Sequence, residues 1–84
     1  MSHARDVAEA VTRALADRPE AVRVTESAHR DETVIEVSVA GDDLGRIIGR
    51  QGRTATAIRT LVMATAERDG TRASVEFRDE HGQR

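Results

Sequence analysis

Ten residues, Leu44-Gly45-Arg46-Ile47-Ile48-Gly49-Arg50-Gln51-Gly52-Arg53, restrict this chain more than any other stretch. An aliphatic pair, Ile47-Ile48, runs straight into a Gly-x-x-Gly tetrapeptide. Glycine weakens a helix interior and supplies the conformations a tight turn needs, so the segment reads as helix, turn, helix. Three of the chain's six glycines and three arginines fall here, and no acidic residue does. Backbone N–H groups left uncovered by side chains, next to fixed positive charge, suit an anion such as phosphate.

The rest of the composition narrows what can surround that turn. With 84 residues there is room for one small domain, residues 1–84, with its core over about 4–78. A chain this short buries roughly 60% of its unfolded surface, which leaves a modest stability margin unless it associates. The absence of cysteine removes disulfides and thiolate metal sites. No apolar run reaches a membrane span, and Met1-Ser2-His3-Ala4-Arg5 does not lead into a signal-type stretch, so a cytoplasmic location is expected. The net charge of −2 argues against indiscriminate coating by nucleic acid. The distribution says more. Between Leu44 and Ala66 stand Arg46, Arg50, Arg53 and Arg59 without one carboxylate, a local basic segment on an acidic body.

Read in order, the chain opens with a helix over Ala4 to Asp17, capped by Ser2, with Val7, Val11, Ala14 and Leu15 as its apolar line. Pro19 ends it. Alternation then predicts a strand over Ala21 to Ser27, with Val22 and Val24 inward. A second strand covers Thr33 to Val39, with Ile35, Val37 and Val39 inward, and so short a link between them predicts an antiparallel hairpin. Asp42 is expected to cap a short helix over Asp43 to Ile48. A longer helix runs from Thr54 to Arg68 with Ala55, Ile58, Leu61, Val62, Thr65 and Ala66 apolar, and Gly70 follows as its C′ residue. Ala73, Val75 and Phe77 mark a last strand, and Asp79 onward is expected to fray.

The outward residues Arg23, Thr25, Glu36, Ser38, Glu76 and Arg78 are all polar, so the sheet has one wet face and the helices share the other. The expected class is α+β, a two-layer α/β sandwich in the order α-β-β-α-α-β with a three-stranded sheet.

Val39-Ala40-Gly41-Asp42-Asp43-Leu44 leading into Gly45-Arg46-Ile47-Ile48-Gly49-Arg50-Gln51-Gly52-Arg53 resembles the signature of a K-homology (KH) domain. The element order is similar to the bacterial, type II arrangement of that family, and the likeness covers about Val7 to Arg78. The resemblance implies a Gly-x-x-Gly turn that clamps the backbone of about four nucleotides of single-stranded RNA. It implies contacts from Gly49, Arg50, Gln51 and Gly52, attraction from Arg46 and Arg53, and an aliphatic groove of Leu44, Ile47 and Ile48 opposite Val37 or Val39. One of Ile47 and Ile48 belongs to the core and the other to the groove, and the sequence does not assign them. The small free-standing members of the family imply a role as RNA chaperone or post-transcriptional regulator.

Phe77 is the chain's one aromatic residue and points inward, so the stacking platforms of other single-strand binders are absent. Arg59 stands between two readings, a solvated helix face and a part in the site. His3, His29 and His81 read as solvated, and Asp42-Asp43 as a capping feature before a metal site. No nucleophile–base pair, metal-ligand cluster or Walker pattern is present, so neither an enzyme nor a cofactor is expected. The alternative is a protein-interaction module, a homodimer or a heterodimer with a larger KH-containing protein of the KhpB (Jag) type, with Val34, Thr60 and Met63 as contact candidates.

Overall fold

The computed structural model describes residues 2–82. Helix α1 covers His3–Leu15, strands β1 and β2 cover Arg23–His29 and Glu32–Val39, and helix α2 covers Gly41–Ile48. A 3-10 turn over Arg50–Gly52 leads into helix α3, Arg53–Arg68, and strand β3, Arg72–Asp79, completes the order α-β-β-α-α-β. The three strands form one sheet in the order β1-β2-β3. β1 and β2 are antiparallel, with His29 opposite Glu32 across a two-residue turn. β3 joins β2 in parallel, from Glu32 beside Arg72 to Val39 beside Asp79. A parallel neighbour needs a long crossover, and α2, the glycine turn and α3 supply it.

Val22, Val24, Ile35, Val37, Val39, Val75 and Phe77 are buried from the sheet side, and Ile47, Ala55, Ile58, Val62 and Ala66 from α2 and α3. The other sheet face carries charge: Arg78 Nη2 lies 3.0 Å from Glu36 and 3.6 Å from Glu76. α3 closes with Gly70 at φ +75°, its N–H donating to the Glu67 carbonyl and the Thr71 N–H to that of Ala66. This is the Schellman arrangement the C′ glycine predicts.

Several expectations need correction. The buried line of α1 is Ala4, Ala8 and Thr12, whereas Val7 and Val11 are half-buried, Ala14 is exposed and Leu15 is 40% exposed. Small side chains let the helix approach its neighbours closely, and Val7 turns toward α3, where it lines a groove with Ala10 and Thr65. Leu61 is likewise 51% exposed and does not belong to the α3 core line.

α1 also stops at Leu15, short of Asp17. Asp43 Oδ1 accepts the Asp17 N–H at 3.1 Å and Oδ2 the Arg18 N–H at 3.0 Å, so a side chain from α2 takes the donors that another helical turn would have used. Pro19 then opens a 3-10 turn, Pro19–Ala21, instead of terminating the helix itself.

The N-cap of α2 is Ala40, with no side-chain cap, and not Asp42. Asp42 pairs with Arg18 at 3.3 Å, and it is Asp43, 2% exposed, whose carboxylate closes hydrogen bonds across elements. Finally, Asp79 is in β3 and Glu80 Oε1 accepts the Gly41 N–H at 3.1 Å, so neither frays. Residues 83 and 84 lie outside the described residues.

Candidate nucleic-acid interface

The glycine turn owes its shape to three successive departures from helical geometry. Gly49 has φ +78° and ψ 172°, Gln51 has φ +57° and ψ 25°, and Gly52 has φ +72° and ψ 13°. The two glycines are required for different reasons. A Cβ on Gly49 would lie 2.3 Å from Thr54 Oγ1 and 3.0 Å from its backbone nitrogen, whereas one on Gly52 would meet nothing within 4 Å. Gly49 is thus pressed against the first turn of α3, and Gly52 leaves its surroundings open. α3 starts at Gly52 without any side-chain cap, which leaves the positive end of the helix dipole without a side-chain acceptor.

Around the turn, the candidate residues separate. Arg50, Gln51 and Arg53 are exposed, and Arg53 Nη2 donates to Gln51 Oε1 at 3.0 Å. Arg50 makes no ion pair or side-chain hydrogen bond among the described residues. Arg46 differs. Its Nη2 lies 3.0 Å from Asp17 Oδ2 and its Nε 4.0 Å from Asp43 Oδ1, so its charge is already matched by one carboxylate just after α1 and one on α2.

The aliphatic residues sort in the same way. Ile47 is fully buried in the core, and Ile48 and Leu44 are half-buried against it, which assigns Ile48 to the surface. Val37 and Val39 are fully buried on β2, the middle strand, and cannot form the far wall of a groove. The strand that lies beside α3 at the edge of the sheet is β3.

Steps of four, three and four residues place Gly52, Thr56, Arg59 and Met63 along one side of α3, beside its buried line of Ala55, Ile58, Val62 and Ala66. This side faces β3. Arg59 Nε donates to the Val75 carbonyl at 3.1 Å, and Met63 lines a surface cavity of about 290 Å3 with Thr71, Arg72 and Ala73. The opposite side of α3 faces α1, where Thr65 and Arg68 line a groove with His3, Asp6, Val7 and Ala10. A course therefore runs from the turn along α3 beside the β3 edge. Arg59 was ambiguous in the sequence because nothing there shows which side of α3 lies against a strand. His3 is exposed, yet its Nδ1 sits 3.0 Å from Asp69 Oδ2, so it ties the start of α1 to the end of α3.

An α-β-β-α-α-β chain with a mixed three-stranded sheet and a Gly-x-x-Gly turn between its second and third helices defines a type II KH domain. Comparison with known proteins agrees. The family described as KhpA/KhpB, KH domain, matches residues 5–77, and the chain belongs to it. It is similar to the RNA-binding protein KhpA of Chlamydia pneumoniae, 47% identical over 66 residues that cover 79% of this chain and 85% of that one. It is similar also to the RNA-binding protein KhpA of Caldanaerobacter subterraneus, 44% identical over 72 residues, 86% and 96% of the two chains. The protein of the same name from Leifsonia xyli is 47% identical over 70 residues, 83% and 90% of the two chains.

Proposed function

We propose that this protein binds single-stranded RNA, clamping about four nucleotides with the turn Gly49-Arg50-Gln51-Gly52, and serves as an RNA chaperone or post-transcriptional regulator. The observation that carries the reading is the turn itself. Two glycines at positive φ bring bare backbone to the surface at the uncapped start of α3, with Arg50 and Arg53 beside it and, among the described residues, no carboxylate paired to either. A phosphate can approach such a backbone closely, and the helix dipole favours its charge. The name RNA-binding protein shared by the relatives supports the same reading.

In this reading Arg50, Gln51 and Gly52 meet phosphate and sugar, Arg53 adds screened attraction, and Ile48 and Leu44 offer the apolar surface near the turn. Ile47 supports them from the core. Arg46 contributes less, because Asp17 and Asp43 hold it.

The test is the double substitution Arg50→Asp and Gln51→Asp. Both side chains are exposed, and aspartate tolerates the left-handed conformation of Gln51 better than most residues. The variant should fold normally by circular dichroism and lose at least tenfold in affinity for short single-stranded RNA. Unchanged binding by a folded variant would sink the clamp.

A second reading, association with a second copy or with a KhpB (Jag)-type partner, draws on Leu15 and Leu61, 40% and 51% exposed on α1 and α3. The contact candidates named from sequence do not share a surface. Val34 belongs to the sheet face opposite the helices, while Thr60 and Met63 lie on α3. Loss of self-association on Leu61→Asp with RNA binding retained would separate the two roles.

A further inference from the structure

We propose that Asp17 competes with RNA for the guanidinium of Arg46 and thereby lowers the affinity of the glycine turn. The proposal rests on the clamp reading above and concerns the arginine near the turn that carboxylates already hold.

Asp17 stands two residues beyond Leu15, the last residue of α1. Its backbone N–H donates to Asp43 Oδ1 at 3.1 Å, and Asp43 is 2% exposed on α2. The packing of α2 against the end of α1 therefore fixes where the Asp17 side chain begins. From there Oδ2 accepts a hydrogen bond from Arg46 Nη2 at 3.0 Å. Among the described residues, Arg46 is the one partner of that carboxylate. Asp43 plays a different part. Its two oxygens accept the backbone N–H groups of Asp17 and Arg18, and its approach to Arg46 Nε is long, 4.0 Å.

The pair is placed where RNA would meet it. Arg46 precedes Gly49 by three residues, so both lie on one side of the last turn of α2, about 4.5 Å apart along its axis. A phosphate seated at the turn is within reach of a guanidinium that swings away from Asp17. The pair is also built to break. The Arg46 and Asp17 side chains are 55% and 70% exposed, and an ion pair in that setting contributes little.

A phosphate offers the arginine fork two oxygens, as a carboxylate does, and can take the place of Asp17. The exchange has a cost. Arg46 gives up one anion to gain another, and the released Asp17 carboxylate is left as a negative charge near a polyanion. Arg50 and Arg53 bear no such cost, because among the described residues no carboxylate pairs with either. Asp17 is thus a positioning residue that acts through Arg46.

The experiment is a double-mutant cycle in RNA affinity. Wild type, Asp17→Asn, Arg46→Gln and the double variant are checked for folding by circular dichroism and titrated with a uridine octamer at fixed ionic strength. D17N should bind about three- to fivefold more tightly than the wild type, the range an exposed ion pair supports. The same substitution should gain little when Arg46 is already glutamine. Asp42→Asn, which removes an equal charge from the neighbouring pair with Arg18, should also gain little. An equal gain from D17N in both backgrounds, or an equal gain from D42N, would mean a general effect of charge and overturns the proposal, as does no gain at all. The clamp fails by a different result, unchanged RNA binding in the folded variant with Arg50→Asp and Gln51→Asp. The wild type supplies a readout that needs no variant to fold. On addition of the octamer the side-chain carboxyl 13C signal of Asp17 should move together with the Arg46 Nε signal, and an Asp17 carboxyl that does not move overturns the proposal.

Discussion

Gly49 and Gly52 look alike in the sequence, and the structure gives them different burdens. At Gly49 both the backbone, φ +78° with ψ 172°, and the 2.3 Å approach to Thr54 Oγ1 exclude a side chain. Gly49→Ala should therefore cost about 2–4 kcal/mol, combining strain in a region that only glycine populates with displacement of α3's first turn. Gly52 is an ordinary left-handed residue in open space, and Gly52→Ala should cost about 1 kcal/mol. Urea denaturation of the two variants checks the contrast, and equal losses would refute it. Gln51 is a non-glycine at φ +57°, so Gln51→Gly should be close to neutral or slightly stabilising. The sequence showed that a turn belongs here. It did not show which glycine is sterically indispensable, because Thr54 reaches Gly49 only after the chain has turned back into α3.

At the scale of elements, hydrophobic alternation was a reliable guide for the strands. A strand displays its two faces residue by residue, and Val24, Ile35, Val37, Val39, Val75 and Phe77 are all buried, as is Val22 just before β1. Helix faces were read less well. The eye follows large apolar residues, and α1 packs through Ala4, Ala8 and Thr12. Thr12 is buried with its Oγ1 lacking a partner among the described residues. Thr12→Val, of nearly equal shape, should accordingly stabilise the protein by about 1 kcal/mol, seen as a higher urea midpoint. Asp43 is the opposite case. Its carboxylate accepts two backbone N–H groups from the segment after α1, and Asp43→Ala should cost about 2–3 kcal/mol by leaving both without an acceptor. A loss below half a kcal/mol would mean that water replaces the carboxylate. Nothing in the order of residues connects Asp43 with Asp17 and Arg18; only the packing of α2 against the end of α1 does.

At the scale of the molecule, the balance of charge sets how the proposed clamp responds to its surroundings. The arginines away from the turn are largely engaged: Arg5 with Glu9 and Asp6, Arg13 with Glu9, Arg18 with Asp42, and Arg78 with Glu36. Two or three phosphates met by the turn should give a slope of log affinity against log salt of roughly −1.4 to −2. A slope near zero or near −6, measured by titration from 50 to 300 mM salt (roughly the range where such slopes are read), would contradict a small local site. Acid should loosen the N-terminal clasp. The Glu26 carboxyl is held below its ordinary range by hydrogen bonds from the Ser2 backbone N–H and hydroxyl. A carboxyl lowered by folding stabilises the fold above its unfolded pKa and loses that contribution as pH falls through the folded one. Amide exchange at the start of α1 should thus be insensitive to pH-driven opening near neutrality and increase below about pH 4.5, the ordinary glutamate value. An onset near neutrality would refute this.

The sequence by itself determined the element order, the faces of the strands and the place of the glycine turn, since each depends on residues close together in the chain. It also carried the family likeness, because Ile47-Ile48-Gly49 with Gly52 is a local pattern. The tertiary structure decided the rest. It placed β2 in the middle of the sheet with Val37 and Val39 buried, and left β3 at the edge. It matched Arg46 to Asp17 and Asp43 and gave Arg50, beside the turn, no side-chain partner among the described residues. It also laid Arg59 across to Val75 and Phe77. The Arg46–Asp17 and Arg59–Val75 contacts join residues 29 and 16 positions apart, and which charge meets which partner there is set by how helices and strands pack.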